Sequence, residues 1–116
     1  SKYSRTIVVQ QPETHLHPSL QAEVGTIIVD SIVGNKLFDA LIRKHWIVET
    51  HSETILLRIL KRIRSGDLDP DDVRVYYIDQ ASSGGAKIQK MHISNKGELL
   101  SQWPDGFFST DLGEIF

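Results

Sequence analysis

At 116 residues, with 40% hydrophobic and 24% charged residues, the chain has the makeup of one soluble globular domain with a moderate core. A formal net charge of −2 argues against a globally basic nucleic-acid binder, and the absence of cysteine excludes disulfides and thiolate metal sites. No apolar run reaches transmembrane length and no secretory signal opens the chain, so the expected compartment is the cytoplasm, with no membrane partner.

The first element is an apolar run, Ile7, Val8 and Val9, which stops abruptly at Gln10, Gln11 and Pro12. It predicts a buried strand over Thr6–Gln10 whose C-terminal end delivers side chains to a site. Pro18 suits a first helical turn, and Leu20, Val24, Ile27, Ile28 and Ile32 recur at helical spacing over Ser19–Val33. Gly25 weakens that helix slightly, and Gly34-Asn35 reads as its stop. Leu37–Lys44 is ambiguous, with a short second helix as one reading. Trp46–Glu49 is a second strand, again with polar residues at its tip, Glu49, Thr50 and His51. Two strands joined by a helix-length segment predict parallel neighbours in one sheet, with Gln11 and His51 on the same edge.

Ser52 looks like a helix N-cap, Leu56, Ile59, Leu60 and Ile63 line one face of that helix, and Gly66 ends it. Leu68–Asp72 is a turn cluster and marks a soft boundary between α/β character and a β-meander. Val73–Ile78 and Ile88–Ile93 read as a hairpin around Ser82–Gly85, and Asn95–Gly97 leads to a third short strand near Leu99 and Leu100. Trp103–Phe108 is an aromatic-rich turn that reads as packing onto this sheet, with partner docking as the minority reading.

Three groups of side chains could carry chemistry. His15-Leu16-His17 has the spacing of a metal-ligand pair, which Glu49 and His51 could complete as in a small metal-dependent hydrolase. That reading leaves Gln10-Gln11-Pro12-Glu13 without a role, and exposed loop histidines are at least as good an account. Thr50-His51-Ser52-Glu53 fits a helix start, which is also an anion site. Arg58, Lys61, Arg62 and Arg64 form a basic helix face, for which solvation near a helix C-terminus is the simpler explanation and DNA contact the sharper one. A non-catalytic interaction module is a further class the sequence allows.

Taken together, the pattern hhh-Q-Q-P-E-x-H-L-H-P followed by hhE-T-H-S-E resembles the second half of a P-loop ATPase of the ABC/SMC-like AAA group, close to the overcoming-lysogenization-defect (OLD-like) ATPases. The tail, Asn95–Phe108, resembles a small C-terminal domain of unknown function found on some of these ATPases. The resemblance implies an α/β fold: a partial P-loop NTPase-type three-layer sheet over residues 1–66 with a C-terminal β-meander over 67–116. It makes Ile7–Gln11 the Walker B strand, Pro12–Pro18 the D-loop region and His51 the switch histidine that senses the terminal phosphate. Gln10 and Gln11 then stand where two carboxylates would hold magnesium and activate water. Gln10 is the implied metal and nucleotide contact, Gln11 and His51 the catalytic positions, and Glu13 a carboxylate able to compensate. His15 and His17 would contact the nucleotide across a dimer interface.

An amide is neutral and a poor base, so this departure puts magnesium-dependent hydrolysis in doubt even for the parent. No G-x-x-x-x-G-K-[ST] occurs, and Ser83-Gly84-Gly85-Ala86-Lys87 has the wrong spacing. The chain is therefore expected to be a C-terminal fragment, inactive alone, of a parent that uses ATP and magnesium and acts on or beside nucleic acid, phage defence being one implied role. Its expected partners are the missing N-terminal half of the ATPase core and, in its absence, a second copy, through an Ile, Leu and Val interface of at least ~1,000 Å².

Overall fold

β-branched residues crowd a helical turn and favour extended backbone, and Ile7, Val8 and Val9 sit within strand β1, Tyr3–Gln10. The structure, a computed structural model, describes residues 3–33, 42–80 and 84–100. After β1 come helix α1 (Pro18–Val33), strand β2 (Ile42–Glu49), helix α2 (Glu53–Arg64), a 3-10 turn (Pro70–Asp72) and strands β3 (Val75–Gln80) and β4 (Ala86–Met91). Among the described residues these make an α/β arrangement of two helices and two two-stranded sheets.

β1 and β2 pair in parallel, from Tyr3 opposite Ile42 to Gln10 opposite Glu49. Their C-terminal ends share one edge, so Gln11 and His51 leave the sheet on the same side, as the sequence pattern predicts. Residues 42–44, read from sequence as part of a short helix, belong to β2 instead. Pairing with β1 decides their conformation, which local propensity left open. The rest of that stretch lies outside the described residues.

Strand alternation gives this sheet two unlike faces. Ile7, Val9, Trp46 and Val48 are half-buried, and Trp46 Nε1 donates to the Ser31 hydroxyl of α1 at 2.8 Å. The opposite face carries Val8, 65% exposed, and Ile47, 59% exposed, side by side in register.

The inward side of α1 is built from Gly25, Ile28 and Val29. The expected stripe holds only in part, because Leu20 and Ile27 point to solvent. The cause is Gly25: a Cβ there would sit 3.0 Å from both the Ile55 carbonyl oxygen and Arg58 Cβ of α2. Its bare backbone lets the helices approach closely and turns that face of α1 inward. α2 answers with Ile55, Leu57, Leu60 and Ile63, all buried, while Leu56 and Ile59 are half-buried.

Ser52 caps α2, its side chain accepting from the Ile55 N–H at 3.2 Å. The other end closes as a Schellman motif, with Asp67 N–H on the Arg62 carbonyl and Gly66 N–H on that of Ile63, both 3.0 Å. Gly66 takes the left-handed backbone this motif needs, at φ 85°.

The core does not stop at the compositional boundary near Gly66–Asp72. Val29, Leu57, Leu60, Ile63 and Leu68 form one buried cluster, against which Val73, Ile93 and Leu99 also pack. β3 and β4 form the expected antiparallel hairpin, displaced by about two residues from the sequence estimate. The third short strand is reduced to a single bridge between Ile93 and Leu99. Residues 81–83 of the hairpin loop and the Trp103–Phe108 turn lie outside the described residues.

Gly97 joins the tail to α2. It is buried, adopts φ 72°, and a Cβ there would overlap the Leu60 carbonyl oxygen. Gly66 has a similar φ but open space around it. Gly66→Ala therefore meets only the left-handed backbone cost, about 1 kcal/mol, whereas Gly97→Ala adds an overlap with rigid backbone worth about 1–3 kcal/mol more. Urea unfolding should rank them in that order; equal losses would mean that the tail does not seat on α2 through Gly97.

Candidate functional site

The polar ends of β1 and β2 meet through backbone first. Gln10 is the last residue of β1, opposite Glu49, and both side chains are exposed. The next N–H, of Gln11, donates to the Glu49 carbonyl at 2.6 Å. Gln11 itself has φ 47°, which turns the chain sharply out of the strand. Its carbonyl accepts from both the N–H (3.2 Å) and the hydroxyl (2.9 Å) of Thr14. Pro12 follows, and the turn brings Glu13 back toward β2.

Glu13 is the centre of the arrangement. One carboxylate oxygen accepts from the Thr50 hydroxyl at 2.6 Å, the other from the His51 N–H at 2.9 Å. Burial pushes the Glu13 carboxyl up, but the Thr50 hydroxyl, the backbone N–H groups of His51 and of Glu13 itself, and the nearby His51 ring outweigh it and hold the group below its ordinary value. Thr50 is in turn fixed, since its Oγ1 accepts from the Ser52 N–H at 2.9 Å.

A second strut lies beneath. The Ser52 hydroxyl donates to Gln21 Oε1 at 2.7 Å, and Gln21 Nε2 donates to the Leu16 carbonyl at 3.1 Å. Gln21 thus links the Pro12–Pro18 turn, α1 and the start of α2. Gln21 is not among the residues the sequence motifs single out, although it carries a signal: it lies one helical turn before Gly25, a polar residue on the buried row. Thr50 likewise had no assigned role.

The histidines separate into three environments. His15 is exposed, with φ 67°, a left-handed conformation uncommon outside glycine. His17 stands at the start of α1, where its Nδ1 accepts from the Ser19 N–H at 3.2 Å and lies 2.9 Å from the Ser19 hydroxyl. An accepting Nδ1 leaves the proton on Nε2. His51 is exposed beside Glu13 at the approach to α2. Among the described residues no group of three or more His, Asp or Glu side chains is placed to hold a metal ion. The structure therefore brings together Glu13, Thr50 and His51, and leaves the Gln10, Gln11 and His15 side chains without hydrogen bonds among the described residues.

Half of the basic face of α2 turns inward. Arg58 Nη1 donates to the Thr26 hydroxyl at 2.7 Å and lies 3.8 Å from Glu23. Arg62 pairs with Asp30 at 2.8 Å and Asp67 at 2.9 Å, and the Asp30 hydrogen bond raises its guanidinium above the ordinary value against the opposing effect of burial. These two arginines fasten α2 to α1 and to its own C-terminal turn, while Lys61 and Arg64 remain exposed.

Residues 68–115, less than half of the chain, match the family described as protein of unknown function (DUF3696). The match is consistent with a small C-terminal domain and assigns it no chemistry. No curated protein and no solved structure matches the chain. No helix among the described residues is long and apolar enough to cross a membrane.

The Glu13 bonds carry a pH signature. Because its folded-state pKa lies below the ordinary 4.5, its stabilisation is complete above that value and is lost as pH falls through the lower, folded one. Glu13→Gln keeps the shape but removes the charge, and should cost about 1–2 kcal/mol at pH 7. In urea titrations the gap between the two proteins should shrink as pH falls below 4.5; a gap that stays constant on acidification would rule out the carboxylate as its source.

Proposed function

We propose that this chain is the C-terminal half of the nucleotide-binding core of an ABC/SMC-like ATPase, carrying a small β-rich tail. The observation that bears most on this is the Glu13 bridge. It fastens the segment resembling the Walker B end and D-loop to the segment resembling the switch histidine, at the C-terminal edge of a parallel strand pair. That edge is where open α/β sheets place their ligands.

Two further features fit a part of a larger core. Parallel strands are normally covered on both faces, yet Val8 and Ile47 lie open on one. α1 also carries Leu20 and Ile27, both exposed, opposite its buried row, an apolar strip that a larger body would cover. The remaining strands and helices of a three-layer ATPase core are the natural cover, with self-association the outcome for the chain alone.

In this reading His51 faces the terminal phosphate, and Glu13 acts as a positioning residue that sets His51 and Thr50. The donor set does not fit magnesium. Gln10 offers a neutral amide, and both Glu13 oxygens already accept hydrogen bonds. The parent would couple nucleotide binding to work on nucleic acid or to phage defence, and the 116-residue chain, with no phosphate-cradling loop, should not turn over ATP.

The test uses the chain and the longer polypeptide proposed to contain it. The chain should release no phosphate from ATP above a buffer blank. In the longer protein, His51→Ala should slow hydrolysis about 100-fold, whereas Gln10→Glu should raise its magnesium dependence. A His51→Ala protein that hydrolyses ATP at the unmodified rate would overturn the assignment of the site.

A further inference from the structure

A cleft of about 220 Å³ lies at the root of the β3–β4 hairpin, lined by none of the residues discussed above as a site. Its lining includes three residues of basic type, Arg74, Lys90 and His92, against one acid, Asp71. The hairpin register accounts for their convergence. Val75 pairs with Met91 and Tyr76 with Lys90. Arg74 and His92 adjoin the last pair of the ladder, Val75–Met91, so both lie at the end of the hairpin that the cleft borders, with Lys90 beside them. Directly paired residues stand about 5 Å apart, which sets Lys90 beside Tyr76.

Arg74 and Lys90 are available. Among the described residues neither Arg74 nor Lys90 takes part in an ion pair, unlike Arg58 and Arg62. Arg74 is held in place, because its Nη1 donates to the carbonyls of Asp71 at 2.6 Å and Val73 at 3.1 Å. A guanidinium fixed by one nitrogen loses less entropy when its remaining donors engage an anion. The cleft is smaller than the roughly 300 Å³ of a drug-sized pocket, so it has room for one anionic group and leaves the rest of a ligand outside. Outside it, on the same face and opposite Lys90, is the ring of Tyr76, 54% exposed.

We propose that this cleft binds the phosphate of a nucleotide unit, free or within a single strand, with the base stacked on Tyr76. Arg74 supplies a planar fork for two phosphate oxygens, Lys90 a point charge and His92 the opposite rim. Base stacking on an exposed aromatic ring is tolerant of sequence, and phosphate contacts carry no base information. The site is therefore a general nucleotide contact. It lies within the residues of the family match and stands independently of the ATP-binding reading of the Glu13–His51 edge.

Fluorescence anisotropy of a labelled oligothymidylate of about eight nucleotides tests this at low salt, with thymidine monophosphate and inorganic phosphate as competitors. Arg74→Gln with Lys90→Gln should weaken the oligonucleotide about tenfold or more, and Tyr76→Ala about fivefold or more. Lys61→Gln, an exposed cation on α2, should leave it unchanged. Competition by thymidine monophosphate as strong as by unlabelled oligonucleotide would assign the cleft to free nucleotides, and much weaker competition to a strand. No binding of any of the three, or a Lys61→Gln loss equal to that of the cleft variants, would overturn the proposal.

Discussion

The Glu13 carboxylate joins two segments that lie far apart in sequence, and the geometry of the sheet edge depends on it. Without it, the turn at Gln11 would be tied to β2 by its own N–H on the Glu49 carbonyl, and the start of α2 to α1 by the Ser52–Gln21 bond, while Thr50 and His51 would lose their bonds to the turn. With it, Thr50 and His51 are held against the Pro12–Pro18 turn by two charge-assisted hydrogen bonds. Thr50 passes the constraint on to the Ser52 N–H, and Ser52 both caps α2 and meets Gln21. The chain of bonds runs from the end of β1 through the start of α2 to the inward row of α1. An ionised carboxylate with both oxygens engaged is an anchor, and the same two donors, with its own N–H and the His51 ring, hold its pKa down against burial.

The packing around this edge is one-sided. Gly25 lets α1 and α2 approach closely, Arg58 and Arg62 tie them, and Leu68, Ile93 and Leu99 extend the same core into the tail. Beyond the strand pair the apolar surface continues uncovered at Val8 and Ile47. The two sides differ because the helices can bury their apolar rows against each other, whereas a parallel pair needs cover on both faces.

Legibility in the sequence followed the range of the interaction that decides each feature. The strand at Ile7–Val9, the Ser52 cap, the Gly66 stop and the parallel relation of β1 and β2 rest on short-range patterns and were all readable. The inward face of α1 was not. Its apolar residues include Leu20 and Ile27 opposite Ile28 and Val29, and what selects one face is the missing Cβ of Gly25 against the Ile55 carbonyl of α2. The strand at 42–44 was hidden for a similar reason, since pairing with β1 sets it. At the site, the nearness of the two motif ends could be expected. The consumption of both Glu13 oxygens could not, because it depends on the φ of Gln11 and on a threonine with no pattern of its own.

These distinctions bear on what the glutamines can do. A carboxylate at Gln10 or Gln11 would be a charged group at an exposed strand end, free of hydrogen bonds among the described residues and so free to hold a cation or polarise water. The amides present there can accept or donate one bond but cannot attract a cation by charge. The nearest acid, Glu13, is ionised and already bonded twice, so using it as a base would require breaking the bridge that positions His51. Organisation and reactivity therefore compete for one carboxylate at this edge. The geometry resolves that competition toward organisation, with the two Glu13 oxygens committed to the Thr50 hydroxyl and the His51 backbone N–H.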